Sequence, residues 1–168
     1  ISSRYLWWNN HIIVANYTNE SLTKIFTNIL DWHFAKGSYN QEVKSAADVI
    51  IKASIDSFQE IEGHLKPTPS KSHYIFNMRD LSKVFQGMTL ACDETILCLT
   101  DMVKLWVHEM SRVFKDRLCE QSDRYWFDEV MKMKLHSHFI NHKHVFTKDV
   151  YPIFTFNKMM KYQFVETH

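Results

Sequence analysis

The sequence predicts a mainly α-helical bundle preceded by a single short strand, and three observations carry that expectation. Apolar residues recur at three- and four-residue spacing through most of the chain, the pattern that lines one face of a helix. Turn formers are scarce, with Gly 3 and Pro 3 among 168 residues, whereas a many-stranded sheet needs many tight turns. Only one β-branched apolar run, Asn10 to Tyr17, has the length of a strand. At 45% hydrophobic, 14% aromatic and 23% charged residues, the chain can fill one core and lacks the composition of disorder.

The strand comes first, centred on Ile12 to Ala15 and needing partners from elsewhere. Thr18 or Asn19 then caps a helix in which Leu22, Ile25, Phe26, Ile29, Leu30 and Phe34 share a face, with Gly37 as the C′ stop. A second helix runs from about Asn40 to Glu62, with Val43, Ala46, Ala47, Ile50, Phe58 and Ile61 inward and Gly63 as its stop. The prolines of Leu65 to Ser72 disfavour helix and stiffen an extended connection. Asn77 caps the next helix, with Asp80 in its first turn and Leu81, Val84, Phe85 and Met88 on its apolar face. A long helix from Asp93 to Leu118 faces Ile96, Leu99, Val103, Trp106, Met110, Val113 and Phe114 inward. Another, from Ser122 to His136, carries Trp126, Phe127, Val130 and Met131, and the residues after it are less regular.

Counting excludes several kinds of site. Gly37, Gly63 and Gly87 lie too far apart for a phosphate loop, a dinucleotide-binding turn or a nucleophile elbow. A net charge of +1 lacks the basic excess of a nucleic-acid binder, so no nucleic-acid partner is expected. No run approaches the roughly 18 apolar residues of a membrane span, and no membrane partner is expected either. Cys92, Cys98 and Cys119 form no CxxC pair, which points to buried thiols in a reducing compartment. Ile1 to Tyr5 lack the form of a signal peptide, and a chain starting at Ile1 reads as a piece of a longer one.

Three local patterns have ordinary explanations. His136, His138, His142 and His144 are spaced closely enough to hold a metal, but without a Cys or carboxylate at ligand spacing they read as a solvated basic surface, so no metal is expected. His108 and Glu109 begin an HExxH motif whose last position is Arg112, so the second imidazole is missing. The sequons at Asn16 and Asn19 fall at a strand end and a helix cap, where backbone hydrogen bonding accounts for asparagine. Arg79 is different. It follows the cap Asn77 in the first helical turn, where a guanidinium and free backbone amides can face one anion, although a pair with Asp80 or a neighbouring carboxylate would occupy it as well.

The run Pro67-Thr-Pro-Ser-Lys-Ser-His-Tyr-Ile-Phe-Asn-Met-Arg-Asp-Leu-Ser-Lys-Val-Phe-Gln-Gly87 resembles a signature segment of dynein heavy chains, nearer the axonemal type, in the small helical lid of the third AAA+ module of the motor ring. Leu105-Trp-Val-His-Glu-Met-Ser-Arg-Val-Phe-Lys-Asp-Arg-Leu118 is similar to the lid segment that follows it. Leu22-Thr-Lys-Ile-Phe-Thr-Asn-Ile-Leu-Asp-Trp-His-Phe34 resembles the helix that opens the same lid.

The resemblance implies that residues 1–17 end a large AAA+ subdomain, that 18–136 form the helical lid, and that 137–168 lead toward the next module. Arg79 then matches the family's phosphate-sensing lid arginine, with Phe76, Asn77, Asp80, Leu81, Gln86 and Gly87 as the supporting motif. Arg4 matches the first arginine of a family string whose later arginine acts in trans on the neighbouring module, and Trp7 stands at that finger position. ATP or ADP with Mg would be bound mainly by parts outside this chain, which would have no ATPase activity of its own. The lid would sense nucleotide and pass domain rotation around the ring of a microtubule motor in the ciliary or flagellar axoneme. The implied partners are neighbouring AAA+ modules and, through the parent protein, intermediate and light chains and microtubules of the cytoskeleton. Two alternatives remain from the residues alone: a free-standing helical interaction module, and a metal-binding helical protein built on the histidine cluster.

Overall fold

A computed structural model describes residues 2–140, 145–146, 151–157 and 161–165. Among the described residues six α-helices precede a two-stranded hairpin: α1 Ser3–Leu6, α2 Asn19–Lys36, α3 Gln41–His64, α4 Met78–Met88, α5 Leu99–Val113, α6 Gln121–His138, β1 Ile153–Phe156 and β2 Tyr162–Val165. The mainly helical expectation holds. The expected strand is not formed: residues 10–18 carry no regular secondary structure and no ladder pairing, and Ile12, Ile13 and Val14 are 86%, 93% and 82% exposed. A β-branched run favours strand composition, but a strand needs a hydrogen-bonded neighbour, and no described residue provides one there.

α3 is the axis of the bundle, packing on α2, α4, α5 and α6. It carries apolar residues on more than one side, burying Val43, Ala47, Ile50, Ile51, Ala53, Ile55, Phe58 and Ile61. Small residues let α5 approach: the Trp106 indole is fully buried and its Nε1 donates to Ser54 Oγ at 2.8 Å. That hydroxyl donates in turn to the Ile50 carbonyl at 2.7 Å, so neither polar group is buried unpaired. α2 contributes the row Leu22, Phe26, Leu30 and Phe34, with Phe26 stacked on Phe85 of α4 at 4.1 Å. Thr18 is its cap, accepting from the Ser21 amide at 3.3 Å.

Helix ends depart from expectation for local reasons. Gly63 lies inside α3, which stops at His64, because Pro67 pushes the residue before it out of helical backbone. Gly37 follows α2 in extended backbone, φ −118° and ψ 168°, and not as a left-handed C′ residue. A Cβ there would lie 2.7 Å from the Tyr39 ring, so close approach explains this glycine. α5 begins at Leu99 and not at Asp93, since Asp93 accepts from the Ser38 amide at 2.8 Å and residues 93–95 form a turn. Its far end tightens into a 3₁₀ turn, Lys115–Arg117.

The hairpin pairs antiparallel, Ile153 with Val165 and Phe156 with Tyr162. Buried Phe154 and Tyr162 place it against His108 on α5, and Lys104 sits over the Phe164 ring at 4.6 Å. Cys98 and Cys119 are exposed and Cys92 is half-buried, so the expected burial of the thiols is not found. No described helix is long and apolar enough to cross a membrane.

Candidate functional site

The segment before α4 is built by contacts to α6 and to the turn after α5. Thr68 pairs with Lys71, whose ammonium meets Asp123 at 2.7 Å and Glu120 at 2.8 Å. The Tyr74 hydroxyl donates to Asp123 at 2.9 Å and accepts from the Cys119 amide at 3.0 Å. Phe76 is buried beside Phe114, ring centres 5.8 Å apart. These anchors fix where α4 starts.

The start itself is a capping box. Asn77 Oδ1 accepts from the Arg79 amide at 3.0 Å, and Asp80 Oδ2 accepts from the Asn77 amide at 3.3 Å. The amides of Asn77, Arg79, Asp80 and Leu81 are therefore already occupied, which corrects the expectation that the amides of this turn are free for an anion. The Asp80 pair expected as the ordinary partner of Arg79 is not formed either. Asp80 is buried and pairs with Lys83 at 3.1 Å and Arg117 at 3.0 Å. Burial pushes its carboxyl up, but bonds from Lys83, the Asn77 amide and Arg117 outweigh this and hold it below the usual carboxylate range. Arg79 is exposed, and its guanidinium has no hydrogen bond or ion pair among the described residues.

Leu81 is fully buried and orients the helix, whereas Gln86 is exposed and its carbonyl accepts from the Thr89 hydroxyl at 2.8 Å. Gly87 has a strict steric reason: a Cβ there would lie 1.9 Å from Glu109 Oε2. Glu109 is fully buried on α5 and accepts from Arg112 at 2.6 and 2.8 Å and from the Tyr162 hydroxyl at 2.5 Å. The motif thus closes where α4 crosses a buried carboxylate. Arg117, Glu109 and Tyr162 were missed as site residues, because their partners lie 37, 22 and 53 positions away and only the fold reveals them.

The structure brings Phe76, Asn77, Arg79, Asp80 and Leu81 together at one turn, with Gln86 and Gly87 at the other end of the same helix. Arg4 stands on α1, whose residues are all exposed, and it shares no hydrogen bond or ion pair with the Arg79 turn. A cleft of about 380 Å³ opens beside the turn, lined by Tyr17, Leu22, Phe58, Asn77 and Met78. Of the histidine cluster, His138 pairs with Asp56 at 3.2 Å, and His142 and His144 lie outside the described residues. No metal-binding group of three His, Cys, Asp or Glu occurs among the described residues.

Residues 50–147 match the family model of the AAA+ lid domain, and the chain belongs to that family. Its relatives narrow the kind. It is 39% identical over 138 residues to mouse dynein axonemal heavy chain 3 and 37% identical over 142 residues to human dynein axonemal heavy chain 1, covering 79% of this chain and 3% of each relative. Rat dynein axonemal heavy chain 12 is 32% identical over 139 residues, covering 83% of this chain and 4% of that protein. The AAA lid found here is of the dynein heavy chain type, and the chain spans only a few per cent of the relatives it matches.

Proposed function

We propose that this chain is the lid of the third AAA+ module of an axonemal-type dynein heavy chain, a motor that moves along microtubules in cilia and flagella, and that Arg79 senses the phosphates of bound ATP or ADP. One observation carries the reading: an exposed guanidinium without a hydrogen-bond or ion-pair partner among the described residues, held on a turn whose own carboxylate is taken by Arg117 and Lys83. Bound nucleotide supplies phosphate oxygens whose number and charge change on hydrolysis, and a guanidinium suits them as a forked donor.

The chain's part is positional. The capping box fixes the backbone beneath Arg79, and packing of α4 on α5 and α3 passes any pull on Arg79 to the whole bundle. The lid would then rotate as nucleotide changes and transmit that rotation to neighbouring modules. Mg and the phosphate loop would belong to parts of the heavy chain outside these residues, and the lid alone would not hydrolyse ATP. Arg4 is offered as a trans-acting residue toward the adjoining module.

A charge-assisted contact contributes about 1.5–3 kcal/mol, so Arg79→Ala in the intact heavy chain should weaken ADP binding at this module roughly 10- to 150-fold and uncouple nucleotide from motility. Wild-type affinity and coupling in that variant would count against the sensor role.

A further inference from the structure

The guanidinium of Arg117 gathers the whole approach to α4. Its Nη2 donates to the carbonyls of His73 at 3.0 Å and Ile75 at 3.2 Å, and its Nη1 meets Asp80 Oδ2 at 3.0 Å. The same group lies over the Phe76 ring at 4.9 Å. Its own backbone carbonyl is met by His73 Nε2 at 3.1 Å, so the two segments hold each other reciprocally. A relay follows: Arg117 holds Asp80, Asp80 holds the Asn77 amide, and Asn77 Oδ1 holds the Arg79 amide.

We propose that Arg117 is a positioning residue for Arg79, clamping the turn from the end of α5 so that the sensor guanidinium keeps one orientation. This rests on the phosphate-sensor reading of Arg79. The division of labour follows from the contacts: Arg117 and Lys83 take the Asp80 carboxylate, which leaves the neighbouring Arg79 guanidinium available for a ligand. Arg117 is two-thirds covered and uses its planar fork on three oxygens, which an ammonium cannot reproduce. Its partners lie on the residues before α4 and in its first turn, so the clamp also ties the tilt of that turn to α5.

The test uses the heavy chain carrying this lid, with only this module able to bind nucleotide. Arg117→Lys keeps a cation near Asp80 but loses the carbonyl fork, and it guards against the chance that Arg117→Ala does not fold. Amide exchange of Asn77 to Leu81 should quicken about fivefold, the factor a lost cap gives. ADP affinity should fall about tenfold, which is 1.4 kcal/mol of coupling, in the wild-type background and hardly at all in Arg79→Ala. An equal loss in both backgrounds shows that Arg117 does not act through Arg79 and overturns the inference. Unchanged amide exchange overturns the clamp itself. Unchanged ADP affinity in Arg79→Ala alone is a separate result: it removes the sensor reading and the nucleotide half of this inference with it.

Discussion

Gly87 shows how one residue can be dictated by a partner far along the chain. Its missing Cβ leaves room for the buried Glu109 carboxylate, which Arg112 and Tyr162 hold in place and which therefore cannot swing aside. Gly87→Ala should gain about 1 kcal/mol of helix propensity and lose about 3 from overpacking, a net destabilisation of roughly 2 kcal/mol. Urea unfolding measures this, and an unchanged midpoint would mean that Glu109 moves freely. Asp80 gives a pH signature at the same scale. Its folded pKa is depressed, so its contribution is full above the unfolded value of about 3.9 and is lost as pH falls through the folded value. Asp80→Asn should therefore flatten the stability curve below about pH 4; a curve as steep as wild type would place the acid sensitivity elsewhere.

Among the elements, α4 was the most legible. Its cap, its acidic third position and its apolar stripe all lie within a dozen residues; Asn77 caps as expected, and Asp80 completes a capping box. Asn77→Ala should cost about 1 kcal/mol, read as a lower melting temperature with the fold intact. The apolar faces of α2, α3 and α5 were legible for the same reason: a period near 3.6 is local information. Strands were not. Residues 10–18 have strand composition without a neighbour to pair with, while the hairpin of β1 and β2 depends on docking to α5 through Tyr162 and Phe154, a contact invisible in a short window. Around this turn, the Asn77 cap was legible from position, but the Asp80–Arg117 pair was not, because it rests on a partner brought in by packing.

At the scale of the whole molecule, α2 to α6 and the hairpin are joined by packing contacts. α3 touches four other helices, α6 anchors the segment before α4 through Asp123, and the hairpin is held to α5. Two half-buried imidazoles add a global pH dependence: burial lowers the pKa of His33 and of His108, and Nδ1 of His108 donates to the Pro152 carbonyl at 3.2 Å. Each binds a proton less readily folded than unfolded, so stability is full above about pH 6.5 and declines below it. The urea midpoint should be lower at about pH 5 than at about pH 7.5, and equal midpoints would contradict this. α4, which carries Arg79, packs on α2, α3 and α5, and under the proposed function those contacts are the route by which a pull on Arg79 would reach the rest of the lid. The direct test is an ADP titration of lid angle, by energy transfer across the lid and the preceding subdomain, in the intact heavy chain with and without Arg79→Ala. The ADP midpoint of Arg79→Ala should lie about tenfold or more above that of the wild type; an unshifted midpoint would contradict the sensor role.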